Sequence, residues 1–384
     1  TTPHDTPERY RRYQLALYIS YLQGVSHIDT EEGLYRQEEF FAVWDRFSEP
    51  VRRHQQVERS FEEYVNTHTR RGKLHRGIAL LHGQYDGWAC FCRREARAQT
   101  GPQWAFAAPE ESWDLIRVFY PDSVLDAIYR HPCPAAPQGY YSRTPYGPVD
   151  ILPVEAEEAV LDSYEALAFL GWNTADEGQI DRLTHYVSQG GTLVLGWPHH
   201  FTDTDRETVL RGGGHPLDAA RLTGVRLLGF AETENGATLG NVTMAPDVTV
   251  LEERSGQPLL LCRKLGRGRV YFVNAREYPA EPAVRPWYER LLTQLGREEA
   301  AREKQKGFME SADTVQSCIY ETEDGTRTIY AINTDWWSSD KTTATATLWL
   351  GEQSWPVELR RGKIHAFTVT GSTVRAEEET EEAT

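Results

Sequence analysis

The sequence predicts a mixed α/β protein in three parts. These are the end of a (β/α)8 barrel over residues 1–72, an open parallel-sheet domain over 73–307 and a small antiparallel β-sandwich over 308–375. An acidic tail, expected to be disordered, follows at 376–384. Three observations predict this. A helix, strand, acidic turn and helix open the chain, a strand–helix–Gly-Gly–strand crossover lies in its middle, and short β-branched segments broken by hairpin turns fill its end.

The first helix is read over 7–23, where Tyr10, Tyr13, Leu17 and Tyr21 recur at helical spacing and Gly24 can end it. Val25 to Ile28 reads as a short strand, and Asp29, Glu31 and Glu32 make an acidic turn after it. Residues 37–69 return to helical composition, with Pro50 dividing them and Ser48 placed to cap the second part. Side chains at the carboxyl end of a barrel strand face the active-site mouth, so the acidic turn stands where ligand groups are expected. The same residues equally suit a solvated turn that caps the next helix. A whole barrel needs about 250 residues, so 1–72 can supply only its last units.

Ile78 to His82 is apolar without alternation, as a parallel strand covered on both faces must be. Residues 84–112 read as irregular, 115–120 as a strand, 123–129 as a helix, 131–146 as a Pro/Gly/Tyr loop, 149–152 as a strand and 155–163 as a helix. The clearest signal follows: strand 166–170, turn Gly171-Trp172-Asn173, helix 176–189, Gly190-Gly191 and strand 192–196. Short helices are expected within 203–224. Hairpin-rich β structure then runs over 225–255, strands 259–263 and 269–273 pair across Gly266-Arg267-Gly268, and a helix starts at Pro286. Strands at 317–322, 326–333, 342–350, 353–359 and 363–369 form the sandwich.

Asp and Glu number 57 against 41 Lys and Arg, giving a net charge of −16. Such a chain lacks the basic face that nucleic-acid binding needs. No apolar run is long enough to span a membrane. The five cysteines form no CxxC pair, so neither a zinc knuckle nor a disulfide framework is implied, and a reducing, cytoplasmic compartment is expected. No signal-peptide pattern is read in the chain's first residues, which with a start lacking Met says little of a leader. The chain opens Thr1-Thr2-Pro3, which suits a processed chain or a piece of a longer polypeptide.

Two carboxylates near one another are the means of glycoside hydrolysis. Glu31 and Glu32 are the catalytic candidates. Adjacent side chains cannot both enter one site, so one of them or Asp29 is a catalytic or sugar-binding carboxylate and a second acid must come from another strand. His27 suits a sugar hydroxyl or a satisfied core position, and Trp172 a sugar face or packing at a domain junction. No dinucleotide fingerprint or phosphate-binding glycine loop follows a strand, so no cofactor is expected. Gly171-Trp172-Asn173 offers no Cys or Ser at a nucleophile elbow, so the central domain reads as non-catalytic. His199-His200, near Asp203 and Asp205, is the best metal-like pair. Adjacent imidazoles diverge, so surface or inter-domain polar contacts are expected and no metal. Trp197 and Trp336-Trp337 suit either sugar stacking or packing at domain junctions.

The acidic turn, the Gly171-Trp172-Asn173-Thr174 strand-turn, the crossover ending at Leu195 and the β-rich end together resemble the C-terminal half of multidomain glycoside hydrolases such as the family 42 β-galactosidases. That resemblance implies a barrel, a flavodoxin-like or amidotransferase-like domain without its cysteine, and a C-terminal β-sandwich. It implies a glycan substrate, an N-terminal segment of the same enzyme completing the barrel, and a homo-oligomer. The family's acid/base and nucleophile glutamates sit on earlier barrel strands than any found here. Glu31 and Glu32 are therefore either catalytic or contacts to substrate. A non-catalytic assembly or glycan-binding protein is the other reading.

Overall fold

The computed structural model describes residues 7–28, 49–83, 108–121, 142–171, 175–202, 215–233, 236–311 and 314–377, and statements of structure refer to these. The chain divides into two compact units. One holds Thr1–His75, Pro137–Gly147 and Ala300–Thr384, the other Arg76–Ala136 and Pro148–Glu299.

The second of these contains a seven-stranded sheet. In order across the sheet its strands are Val248–Arg254, Gln257–Leu265, Gly268–Val273, Thr192–Gly196, Ala166–Phe169, Ile78–His82 and Asp150–Pro153. The last five are parallel and the first two antiparallel. The strand at 78–82 is flanked by 150–153 on one side and 166–169 on the other, so the winding reverses there. The expected crossover forms as read. Its helix, Glu177–Gln189, starts in a capping box in which Asp176 Oδ1 accepts from Gln179 N at 3.0 Å and Gln179 Oε1 accepts from Asp176 N at 2.8 Å. Ile180, Leu183, Tyr186 and Val187 are its buried face. A Cβ at Gly191 would lie 2.1 Å from the Tyr186 ring, so only glycine lets the helix close onto the next strand.

The strand expected over 115–120 is instead part of a 3₁₀ helix, Ser112–Val118. Leu115 and Phe119, four residues apart, are buried together, a helical spacing rather than the alternation of a strand. The expected helix at 123–129 and the short helices within 203–214 lie outside the described residues.

The first unit joins the two ends of the chain. A five-stranded antiparallel sheet has the order Lys73–His75, Val315–Glu321, Arg327–Asn333, Ile364–Thr370, Thr373–Ala376. Its inner face packs Val315, Ile319, Ile329 and Ala331 against the three-stranded sheet of Phe308–Ser311, Thr343–Leu350 and Gln353–Arg360. The alternate residues Cys318, Tyr320, Tyr330 and Ile332 pack against Leu15, Tyr18, Tyr21 and Leu22 of the helix Pro7–Leu22, and against Phe61 and Tyr64 of the helix Glu49–Thr67. Both faces are covered, which is why every residue of 327–333 is buried. The N-terminal helices thus share a core with the C-terminal sheet, and Lys73–His75 belongs to that sheet instead of opening the parallel-sheet domain.

The two N-terminal helices run side by side in the same direction. Tyr10 meets His54 with ring centroids 4.9 Å apart, Tyr13 Oη donates to Glu58 at 2.7 Å, Tyr18 meets Phe61 at 5.7 Å, and Tyr21 Oη donates to His68 O at 2.9 Å. Partner numbers rise together, so the pair is parallel. A directly joined hairpin would be antiparallel.

The expected strand at Val25–Ile28 is not one. Among the described residues they pair with no strand, and Val25, 40% exposed, donates its N–H back to Ser20 O at 3.1 Å. Gly24, at φ 95°, turns the chain off the helix as expected. A strand exists only through pairing, and none of the described strands pairs with residues 25–28.

Candidate functional site

In the second unit the strands at 166–169, 192–196 and 268–273 end on one edge of the sheet, where open α/β sheets bind ligands. The strand at 192–196 runs into a short 3₁₀ turn, Trp197–His200, with Pro198 fixing its start. Gly196 is needed there, since a Cβ would sit 2.4 Å from Tyr288 Oη and 3.1 Å from Val273 O. His199 stacks on Phe169 with ring centroids 4.4 Å apart, and its Nδ1 accepts from Gly196 N at 3.1 Å. His200 lies against Trp197 at 4.7 Å and Phe272 at 5.0 Å. Burial pushes each imidazole down to about 3, so both are neutral. They are core residues, correcting the expectation of surface or inter-domain contacts. Folding the turn back over the strand ends places both rings among aromatics, which the adjacent-His pattern does not reveal. Trp197 is likewise interior, donating Nε1 to Asn274 Oδ1 at 2.5 Å, while Asn274 Nδ2 donates to Gly240 O at 2.8 Å and Pro258 O at 2.7 Å.

Beside this edge, past the end of the strand at 268–273, lie two acids that the sequence reading did not select. Glu277 Oε1 accepts from Thr238 N at 2.7 Å, and Glu281 Oε2 accepts from Tyr278 N at 2.5 Å. Burial raises the Glu281 carboxyl, and the charges of Glu277 and Glu111 raise it further. Tyr278 faces His199 edge-on at 6.3 Å. Both acids are engaged in holding backbone N–H groups. The only sequence signal for them is their place after a strand end.

Of the residues selected from sequence, His27 is exposed, three residues past Gly24. Asp29, Glu31, Glu32 and Trp172 lie outside the described residues, as do Asp203 and Asp205. The helix end that leads to the acidic turn is firmly held. The Arg70 guanidinium lies over the Tyr21 ring at 4.0 Å, and it donates to Tyr21 O and to Tyr320 Oη. Elsewhere, Glu158, Asp162 and His185 place ligand-type atoms within 4.8 Å of one another. All three are exposed, and His185 Nε2 is 3.2 Å from Glu158 Oε1, a contact that an ion pair explains.

Comparison with solved structures finds multidomain glycosidases. The chain is similar to GH42 β-galactosidases. One, from G. stearothermophilus, is 15% identical with a TM-score of 0.47 over 85% of this chain and 44% of its own. Another, from Bacillus circulans sp. alkalophilus, is 15% identical with a TM-score of 0.47 over 84% of this chain and 45% of its own. An exo-β-1,4-mannosidase from Opitutaceae bacterium strain TAV5 is 13% identical, with a TM-score of 0.34 over 68% of this chain and 40% of its own. The chain therefore spans less than half the length of these proteins. No protein-family model matches the sequence, and no curated protein matches it. No helix among the described residues is long and apolar enough to cross a membrane.

Proposed function

We propose that this chain is a portion of a carbohydrate-active enzyme of glycoside-hydrolase type, with its sugar site at the acidic turn near residues 27–32. The observation that carries this reading is the parallel pairing of the helices Pro7–Leu22 and Glu49–Thr67. The first helix rises about 24 Å at 1.5 Å per residue, and the second starts again beside its first turns, where Tyr10 meets His54. Successive units of a (β/α) array are joined in this way, and such arrays carry their ligand groups on the segments that lead into each helix. Asp29, Glu31 and Glu32 occupy that segment in the sequence. Glu31 or Glu32 is the proposed acid, and His27 and Asp29 bind sugar hydroxyls. The remaining barrel units come from an N-terminal segment of the same enzyme, and the active form is a homo-oligomer.

The parallel-sheet unit serves assembly in this reading. Its strand ends are filled by Trp197, His199 and His200, and Cys262, its one described cysteine, lies on a strand with its thiol raised by burial. Those features also favour the alternative of a non-catalytic assembly or glycan-binding protein. The test is reconstitution. The chain alone and the chain with its N-terminal segment are assayed on aryl glycosides, and Glu31→Gln and Glu32→Gln are then compared in the active assembly. A loss under about tenfold in both, or about 1.4 kcal/mol, refutes a direct catalytic role. No glycoside cleaved by any assembly supports the alternative.

A further inference from the structure

In the parallel-sheet unit the short helix Glu158–Leu161 lies against the crossover helix Glu177–Gln189, and Leu161, Ile180 and Leu183 join them through one apolar core. On the solvent side of that contact three side chains converge. Glu158, Asp162 and His185 each offer a ligand-type atom, and the three atoms lie within 4.8 Å of one another. All three residues are exposed. The contact of His185 Nε2 with Glu158 Oε1 at 3.2 Å accounts for two of them as an ion pair. It does not account for Asp162, whose carboxylate has no hydrogen-bond or ion-pair partner among the described residues.

The backbone brings these groups together. Glu158 and Asp162 are four residues apart, and Asp162, which ends the helix, keeps helical backbone at φ −65° and ψ −13°. Asp162 N donates to Glu158 O at 2.8 Å and closes the turn, so the two carboxylates share one face. Like charges at this spacing repel, and a cation between them relieves the repulsion. His185 comes from the crossover helix, whose capping box and Gly190 end hold it in place. A zinc ion with tetrahedral ligands at about 2.1 Å sets neighbouring ligand atoms about 3.4 Å apart. His185 and Glu158 already stand at nearly that separation, and a rotation of the exposed Asp162 side chain supplies the third ligand. Solvent on the open side supplies a fourth.

We propose that Glu158, Asp162 and His185 bind a divalent transition metal of the zinc class. One imidazole with two carboxylates suits such an ion, whereas magnesium and calcium take oxygen ligands and gain little from a ring nitrogen. The bound ion is a staple. It ties the turn at Asp162 to the crossover helix on one flank of the sheet, and it neutralises two carboxylates of an acidic chain. The inference does not depend on the acidic turn at residues 29–32 being catalytic.

The test frees the full chain of metal with a chelator and titrates it with zinc or with magnesium, followed by calorimetry and thermal melts. One zinc per chain is expected, with a Kd of about 1 μM and magnesium at least about a hundredfold weaker. The unfolding midpoint should rise with zinc, since the ion binds only the folded arrangement. His185→Ala and Asp162→Asn, both at exposed positions, should keep the circular-dichroism spectrum, weaken zinc at least about tenfold and remove most of the rise. Glu157→Gln removes a charge beside the triad and should leave affinity and midpoint as they were. Absence of saturable zinc binding, or affinity unmoved by either His185→Ala or Asp162→Asn, overturns the site. Magnesium binding as tightly as zinc overturns the role of the imidazole. An equal loss in Glu157→Gln shows diffuse attraction to acidic charge and also overturns the site.

Discussion

Replacing Arg327 by leucine should destabilise the first unit by about 3–5 kcal/mol, the cost of leaving a buried acid without its partner. Arg327 and Glu303 are 3% and 4% exposed, with Arg327 Nη1 to Glu303 Oε2 at 2.5 Å. His75 Nε2 approaches the same carboxylate oxygen at 3.2 Å, and Arg327 Nε donates to Glu321 Oε2 at 2.7 Å. Burial alone would raise the Glu303 carboxyl, but His75 and Arg327 overrule it and hold it at about 2, against an ordinary 4.5. At about 1.4 kcal/mol per unit, that displacement corresponds to roughly 3 kcal/mol of stability shared between His75 and Arg327. The sign follows from the lowered folded value. The contribution is complete above pH 4.5 and is lost as the pH falls from there through about 2. Urea unfolding, followed by tryptophan fluorescence from pH 7 downwards, measures both quantities. Arg327→Leu costing less than about 1 kcal/mol, or Glu303→Gln keeping the wild-type acid slope, would refute the reasoning.

Other perturbations separate structural from chemical roles. His200 Nε2 is buried without a partner among the described residues, so His200→Phe should cost under about 1.5 kcal/mol or stabilise in thermal melts. With both imidazoles held at about 3, stability falls as the pH drops below the ordinary 6.5, and His200→Phe should flatten that fall. A loss of several kcal/mol at neutral pH would show that the ring has an essential partner. Gly196→Ala drives a methyl into Tyr288 Oη and should cost about 1–3 kcal/mol, read by chemical denaturation. Asp176→Ala removes the capping box of the crossover helix and should cost about 1 kcal/mol, with hydrogen exchange faster in its first turn.

Much of the fold was legible because local rules and tertiary packing agree. The apolar runs at 166–169 and 192–196 are bounded by turn and cap residues that make them strands, and Asp176 with Gly190-Gly191 fixes the ends of the helix between them. The five C-terminal strands carry turn residues at their ends. Leu115 to Val118 misled because a short apolar run does not declare its period. Val25 to Ile28 misled because strand formation depends on a neighbour that local sequence cannot supply. The candidate site was less legible. Acids and histidines can be found by type, but their exposure cannot: His199 and His200 were expected to make surface or inter-domain polar contacts and are interior rings.

The sequence by itself determined the α/β class, the crossover, the C-terminal strands and the lack of a nucleophile at the Gly171 turn, since each rests on periodicity, caps or residue identity within a short window. Only the tertiary structure decided that the first and last segments share one core. It also decided that Pro7–Leu22 and Glu49–Thr67 run parallel. Those outcomes depend on contacts between residues far apart in the chain, and no local pattern encodes which distant surface a face will meet.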